Sequence, residues 1–546
     1  MELVTAWVKP PTQIGGLDHL GVQAPCINIY SRLLPGITNV TDRARYYSFY
    51  PWLIWALEQN GYSRYDDEFI NAFRKADGLF TLIAHRHANV CGDHQDVHAM
   101  STVGSVNLSK VISAIADGHQ VILSDYSNKD SGKQQYFKNK LGGLGQYYLG
   151  VLSEFSILDG NVSKGIRYTR QMGLPLVRAM DTGVPRDLFM RTIDEGTVTA
   201  NRLDELRAFC PCKLTSSRDE HQWLVQLFMA ESEIQDTDSQ MRRATLCMLI
   251  QLSDALSEKK LPLNLVNFRG CVYSGAMPDG SPWRLHDELE TMQKLWAVYQ
   301  RNELLSISIQ GLFFVLLDAY QESGEKFDSS QSIAEWYVNQ SGELSGKIDF
   351  DRSFGDVVSE SKETLPSYEY WGDSCHEVEL SEQIVLLCSG KKSAENRTNI
   401  VKAALGILAA LAARQESNNS YKSIGFPNNY LHTYPVNLAS FLHESKTNWS
   451  EMKLNDLLVW LFSHWGIDTH LSVALRKLRG QSKSTFRIRP SDQGFEVINI
   501  PPAVHTSPRF TQAIRILKDI GCLESDGELI RSTPLAQTYM DKYYGR

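Results

Sequence analysis

A run of nitrogen and sulfur donors at residues 85–98 is the densest set of potential metal ligands in the sequence. Its five donors fall within fourteen residues, HRHANVCGDHQDVH, and are His85, His87, Cys91, His94 and His98. Zinc takes three or four such ligands in a tetrahedron, and His94 and His98 would share one helix face. One helix cannot direct all five donors to one point, however. We therefore favour a polar loop whose histidines bond backbone groups, and predict no metal and no cofactor.

Two further motifs lack part of what their chemistry requires. Cys210-Pro211-Cys212 is a lone C-x-C without a partner pair, so we expect neither zinc nor redox chemistry there. The segment SGKKS at 389–393 suggests a phosphate loop, but Val385 and Lys392 occupy the positions that need a glycine and a hydroxyl residue. These patterns do not support nucleotide binding or thiol catalysis.

An enzyme remains the alternative, as a metal-dependent nuclease or hydrolase. Asp349 or Asp351 with Glu360 would hold magnesium, and Lys362 would stabilise the developing charge. The flanking sequence is polar and contains no buried strand that could carry the acids, which favours a solvated loop. We predict no catalytic residues.

Positive charge is concentrated near residue 480. Residues 453–546 contain 13 Lys and Arg against 9 Asp and Glu, a net +4, whereas residues 1–452 carry −12. Six cations and no acid lie between positions 476 and 489: Arg476, Lys477, Arg479, Lys483, Arg487 and Arg489. Such a cluster could neutralise several phosphates of DNA, while the alternative is a solvated face used only for protein contacts.

Composition defines the class of protein. The chain has 546 residues, 42% of them apolar and 22% charged, which suits a globular protein of several domains. Nine cysteines without a regular framework favour reduced thiols and a cytoplasmic location. The apolar run at 401–413 is too short to cross a bilayer, so we expect a buried helix and no membrane association.

The periodicity of apolar residues predicts a mainly α fold, with a multidomain helical body and a C-terminal winged-helix-like α/β module. The predicted domains are an N-terminal lead-in with an aromatic and arginine-rich helix (1–65), a helical core (66–325), a polar linker or peripheral insertion (326–395) and a helical plus winged-helix-like domain (396–546). Pro51 predicts a kinked helix or two short ones, and residues 286–321 predict two packed helices. Residues 484–500 read as a β-hairpin.

A motif of the form P-G-x-T-x-x-x-x-R-A-R-Y-Y-x-F-x-P-W occupies residues 35–52. It resembles a family of uncharacterised bacterial proteins encoded in defence islands. That family usually has Ser or Thr directly before the first arginine, and Asp42 departs from this pattern. The matching positions are Pro35, Gly36, Thr38, Arg43, Ala44, Arg45, Tyr46, Tyr47, Phe49, Pro51 and Trp52. Length and layout also resemble an accessory subunit of Druantia-type antiphage systems. Arg43 and Arg45 form either a second phosphate site beside stacked bases or core contacts with the aromatic rings.

Together these features predict a non-catalytic component of a bacterial antiphage defence complex. The resemblance implies the defence role and other subunits as partners, and the cluster at 476–489 predicts DNA binding. A pure protein scaffold is the remaining alternative.

Overall fold

The computed structural model describes residues 12–13, 18–92, 95–127, 137–159, 165–230, 236–417, 434–478 and 483–545. The chain divides into two compact units, each built from two separate segments. Unit 1 contains residues 1–31 and 264–508, and unit 2 contains residues 32–263 and 509–546. The predicted boundaries at 65, 325 and 395 do not coincide with these divisions. Each unit contains two segments that are far apart in sequence, and local composition does not reveal such pairing. The mainly α prediction is confirmed.

In the part of the chain that the structure describes, unit 1 is helical with two short sheets. Its helices, two with π-helical geometry, are Leu265–Ser274, Asp287–Ser323, Ser330–Glu335, Trp336–Gln340 (π), Phe354–Thr364, Glu377–Ser389, Ala394–Ser417, Leu438–Thr447, Leu454–Trp460, Leu461–Asp468 (π) and Thr469–Leu478. Strand Thr12–Gln13 pairs in parallel with Lys483–Ser484, and Ile488–Ser491 pairs antiparallel with Gly494–Val497. The second pair is the predicted hairpin. The helix Ala24–Leu33 contains the first boundary between the units.

The helix Asp287–Ser323 is the central element of unit 1. The sequence predicts two helices here, but 37 residues form one, because no proline interrupts them. Acidic residues occupy its first turn, and Gly324 ends it at φ +70°. It is long and apolar enough to cross a membrane, yet 94% of its most apolar window is buried within the protein. It is thus placed as a core helix, packed on Ala394–Ser417.

The segment 326–395 is part of the core of unit 1 and not a linker. Trp371 is buried against Gly270, where a Cβ atom would lie 2.3 Å from the indole ring. The carboxylate of Glu377 is fully buried, paired with Arg414, and accepts a hydrogen bond from the Tyr273 hydroxyl at 2.7 Å. The polar composition that suggested a linker thus includes a buried acid whose partners come from other helices of unit 1.

Among its described residues, unit 2 combines helices with three two-stranded antiparallel sheets. Its helices are Tyr46–Gln59, Asp67–Cys91, Gln95–His98, Ser109–Ala116, Ser124–Ser127, Leu144–Tyr148 (π), Leu149–Glu154, Gly173–Asp181, Arg186–Glu195, Ala200–Glu205, Arg207–Phe209 (3₁₀), Pro211–Ser216 (3₁₀), Arg218–Phe228, Thr237–Glu258, Phe510–Asp519 and Pro534–Tyr544. The paired strands are Val121–Ile122 with Thr197–Val198, Leu158–Asp159 with Arg167–Tyr168, and Leu523–Asp526 with Leu529–Ser532.

The N-terminal motif forms the helix Tyr46–Gln59, which runs through Pro51 as a single element. Eleven of its residues are buried. Its aromatic side chains pack on rings from other helices of unit 2, including Phe49 on Phe80 with centroids 4.3 Å apart. The aromatic residues of the motif therefore build the core of unit 2.

The predicted C-terminal module is divided between the two units. The basic segment and the first hairpin belong to unit 1, whereas Phe510–Asp519, the second hairpin and Pro534–Tyr544 belong to unit 2. The second hairpin packs on Thr237–Glu258 of unit 2. Residues 396–546 do not form one compact unit.

Candidate metal centre

Four donors from two distant parts of unit 2 converge on one point. Of the residues that the structure describes, one group of four His and Cys side chains could hold a metal ion: His87, His98, Cys210 and Cys212. Their donor atoms all lie within 4.8 Å of one another. His98 and Cys210 are buried, while His87 and Cys212 are half-buried.

Local structure positions each pair of donors. His87 lies in the last turns of the long helix Asp67–Cys91, and His98 ends the short helix Gln95–His98. Cys210 is extended, at φ −60° and ψ 138°, between two 3₁₀ helices. Pro211 opens the second of these, where its fixed φ suits a first helical position. The resulting turn places both thiols beside the histidines.

The distances are close to those of a zinc tetrahedron. The Cys212 sulfur lies 3.4 Å from His87 Nδ1, and the Cys210 sulfur lies 3.4 Å from His98 Nδ1. Zinc–sulfur bonds of about 2.3 Å and zinc–nitrogen bonds of about 2.0 Å give a sulfur–nitrogen edge of about 3.5 Å. The two imidazole rings are perpendicular, with centroids 4.7 Å apart. Two sulfur–nitrogen edges therefore already match a Cys₂His₂ sphere, and the remaining donor pairs, all within 4.8 Å, would draw closer when a metal binds.

The electrostatic surroundings favour the ligand forms of two of these groups, Cys212 and His87. A hydrogen bond from Cys210 lowers the pKa of the Cys212 thiol, and Lys213 and Arg45 lower it further. Burial lowers the pKa of His87, and the nearby charge of Lys213 adds to the effect. Burial raises the pKa of Cys210, the donor in this pair. The shifts at Cys212 and His87 favour the deprotonated forms that metals bind, whereas the shift at Cys210 opposes its thiolate until a metal is present.

Arg45 of the N-terminal motif holds the cysteine segment. Its guanidinium is fully buried and donates to the carbonyl oxygens of Ala208 and Cys210, both at 2.6 Å. Its other nitrogens donate to the two carboxylate oxygens of Glu220, at 3.2 and 2.9 Å. Ser48 also donates to Glu220, at 2.6 Å. The buried pair therefore fixes the backbone that carries Cys210.

Arg43 holds the histidine segment in the same way. Its guanidinium is 1% exposed and donates to the carbonyl oxygens of Val97 and Met100, at 2.9 and 3.1 Å, on either side of His98. It also forms a two-nitrogen pair with the Asp519 carboxylate, at 3.0 and 2.8 Å. The two arginines of the motif thus anchor the two halves of the candidate centre. Their burial supports the core alternative over a phosphate site.

No protein-family model, curated protein or solved structure matches this chain. The four converging donors are therefore interpreted from their geometry alone.

Only part of the predicted histidine-rich cluster lies at this centre. His87 and His98 belong to it, whereas the His85 ring bonds the Ser105 hydroxyl at 3.0 Å, and Cys91 is exposed. His94 lies outside the described residues. The other two donors come from the C-x-C motif that sequence analysis set aside. No sequence signal relates these segments, since His98 and Cys210 are 112 residues apart.

The predicted basic cluster is not a continuous exposed patch. Arg487 is 7% exposed, and its guanidinium contacts the His19 ring at 3.2 Å. Lys477 is half-buried and donates to the carbonyl oxygen of Asp18 at 2.6 Å. Arg479 and the side chain of Lys483 lie outside the described residues.

The two exposed arginines among the described residues of the cluster also have neighbours. Arg476 lies over the Tyr434 ring, 5.4 Å from its centroid, and Arg489 pairs with Glu496 at 3.3 Å. The cluster therefore offers fewer exposed cations than its sequence suggests.

Two of the three acids proposed for a nuclease have their own ion-pair partner, and the third, Asp349, accepts the Asp351 N–H at 3.3 Å. Asp351 pairs with Lys453 at 2.9 Å, and Glu360 pairs with Arg352 at 2.6 Å. Lys362 pairs with Glu416 at 2.5 Å. These are surface ion pairs and not one metal-binding cluster.

Proposed function

We propose that unit 2 binds one zinc ion through His87, His98, Cys210 and Cys212, and that the ion has a structural role. Convergence of two thiols and two imidazoles within 4.8 Å carries the proposal. Sulfur and nitrogen donors in a tetrahedron select zinc over magnesium or calcium, which take oxygen ligands. Four protein ligands leave no open position for substrate, which is the arrangement of structural zinc sites.

The ion would cross-link distant parts of the chain. The helix ends that carry His87 and His98 would be joined to the turn that carries both cysteines. The buried anchors Arg43 and Arg45 hold the same backbone segments, so the site is organised before the metal arrives. Outer contacts of this kind orient metal ligands in known sites.

Metal analysis of the full-length protein, purified without chelators, tests this proposal. We expect about one zinc per chain in the wild type, and a large loss in the Cys212→Ser variant. The matched control is Cys91→Ser, because Cys91 is an exposed thiol near the same helix end and outside the cluster. Zinc-free wild type after incubation with zinc, or equal zinc content in both variants, would contradict the proposal.

The rival interpretation is a Cys212–His87 pair acting as a nucleophile and its base. Alkylation by iodoacetamide separates the two functions. A zinc site predicts that Cys212 is protected in the purified protein and becomes reactive only after chelation. Fast alkylation of Cys212 that is insensitive to added zinc would favour the nucleophile.

We further propose that the chain is a non-catalytic, cytoplasmic component that engages DNA or partner proteins. Support comes from two exposed arginines of unit 1, Arg476 in the helix Thr469–Leu478 and Arg489 in the hairpin Ile488–Ser491/Gly494–Val497, for which a winged-helix-like surface is proposed. Membership of an antiphage defence complex is proposed from the resemblance of the N-terminal motif. Titration of labelled duplex DNA with wild type and the double variant Arg476→Glu/Arg489→Glu tests this surface. Equal affinity at low salt would exclude it.

A further inference from the structure

A groove in unit 2 carries cations, amides and an indole together. It has a volume of about 600 Å³ and lies between the helices Gly173–Asp181 and Arg218–Phe228. This volume is in the range of about 300–1,000 Å³ that accommodates small organic ligands. It suits one or two nucleotide units and is far too small for a double helix.

Two arginines line one side of the groove and are available to a ligand. Arg170 and Arg178 are both exposed. Among the described residues, neither has an ion-pair partner. Arg186 and Arg202, in contrast, are paired with acids of unit 2, Arg186 with Asp181 at 3.1 Å. A phosphate binding to Arg170 and Arg178 would therefore not have to displace a protein carboxylate.

The opposite side of the groove suits a nucleobase. Trp223 is half-buried, so part of its indole is open to the groove while the rest is held in the protein. Gln222 and Gln226 are one turn apart on the same helix and offer amide donors and acceptors. Asp219 adds one carboxylate, which can accept from the amino group of a base and leaves the groove net positive.

We infer that this groove binds single-stranded nucleic acid, with phosphates on Arg170 and Arg178 and a base stacked on Trp223. Cations along the backbone combined with aromatic stacking are the usual basis of single-strand recognition. The site lies in unit 2 and uses none of the residues at 476–489. It shares its ligand class with the proposed nucleic-acid function but places the contact elsewhere.

Fluorescence anisotropy with a labelled oligothymidine in low salt tests this assignment on the full-length protein. We expect Arg170→Glu/Arg178→Glu to weaken binding at least about tenfold, since two phosphate contacts are lost and two repulsive charges added. Arg191→Glu/Arg284→Glu, at two exposed arginines outside both the groove and the segment 476–489, is the control with the same charge change and should leave single-strand affinity within about twofold. Unchanged zinc content and circular dichroism identify variants that fold.

The Trp223→Ala variant distinguishes stacking from attraction to any polyanion. It should weaken oligothymidine binding about tenfold and leave heparin binding unchanged. Equal oligothymidine affinity in wild type and Trp223→Ala would overturn the stacked-base assignment. Loss of binding only in Arg476→Glu/Arg489→Glu would overturn the groove and support the basic segment of unit 1. A wild type that binds duplex but not oligothymidine would overturn the groove alone, and one that binds neither would overturn both.

Discussion

Arg45 donates a hydrogen bond to the carbonyl oxygen of Cys210 at 2.6 Å, across 165 residues of sequence. The same guanidinium is paired with the buried Glu220 carboxylate. An arginine of the N-terminal motif therefore fixes the backbone next to a proposed zinc ligand. The motif thus stabilises the backbone of the candidate centre without supplying a ligand.

Loss of the Arg45 side chain should destabilise unit 2 strongly. Arg45→Met leaves the Glu220 charge buried without its partner, which costs about 3–5 kcal/mol in comparable pairs. Urea denaturation with hydrogen exchange on peptides of unit 2 measures the change. Arg186→Met, at a partly exposed pair with Asp181, should cost below about 1 kcal/mol. Similar losses in both variants would contradict the role assigned to burial.

Removal of zinc should loosen unit 2 selectively. After treatment with a zinc chelator, we expect faster hydrogen exchange at residues 97–105 and 207–216, where the proposed ligands cross-link the chain. Residues 300–320, in the central helix of unit 1, should exchange at an unchanged rate. Added zinc should restore protection and added magnesium should not. Identical exchange before and after chelation would contradict a structural ion.

Acidification should destabilise unit 1 through His470. Its Nδ1 donates to the carbonyl oxygen of His19 at 3.0 Å, and its Nε2 accepts the Arg487 N–H at 2.8 Å, so the buried ring is neutral. Burial lowers the pKa of His470 from 6.5 to about 4. The unfolded chain therefore binds the proton first as the pH falls. This contribution to stability is complete above about pH 6.5 and is lost by about pH 4, a change of about 3 kcal/mol.

His470→Gln isolates this effect, because its amide oxygen can still accept the Arg487 N–H and does not titrate. Hydrogen exchange at residues 470–478 and 485–490 should depend less on pH in the variant than in the wild type. The comparison cancels Asp18, whose pKa is raised by burial and which acts in the opposite direction. Equal pH dependence in the two proteins would exclude His470 as the titrating group.

Gly36→Ala should destabilise unit 2 for two separate reasons. Gly36 has φ +77°, where an L-residue is strained, and an added Cβ would lie 2.6 Å from the Phe155 ring. Gly61 has φ +87° with no atom within 4 Å of the same position, so Gly61→Ala measures the strain alone. We expect a cost of about 1 kcal/mol for Gly61→Ala and at least about 2 kcal/mol for Gly36→Ala by thermal unfolding. Equal costs would show that Phe155 moves aside.

Local patterns predicted the elements that depend on neighbouring residues. The hairpin closed by Gly494, at φ +98°, follows from alternating residues around a turn sequence. The apolar period at 401–413 predicted a buried helix, and Ala394–Ser417 is one. Polar sequence misled at 326–395, because the partners of Glu377 and other buried polar groups come from other helices. Burial of such groups depends on tertiary contacts with residues far away in the sequence, which a short stretch of sequence does not reveal.

The sequence could indicate the two pairs of donors in the candidate centre separately, but not that they meet. The donors around His87 and the thiols of Cys210 and Cys212 were each recognised as ligand types. The sequence argues against the first half because one helix cannot direct five donors to one point, and against the second because a lone C-x-C has no partner pair nearby. Arg43 and Arg45 were linked to the aromatic residues near them, whereas their carboxylates are Asp519 and Glu220. Long-range pairing of this kind leaves no periodic trace in the sequence.

The segments of the two units alternate along the chain, and this alternation determines the order in which the units can fold during synthesis. Arg43 is made 476 residues before Asp519, the acid that neutralises it. Unit 1 has all of its residues once position 508 has been translated, while unit 2 still lacks residues 509–546. We therefore expect unit 1 to close first on the ribosome. Until residues 509–546 emerge, the segment 32–263 presents an unneutralised Arg43 to the cell's chaperones and proteases.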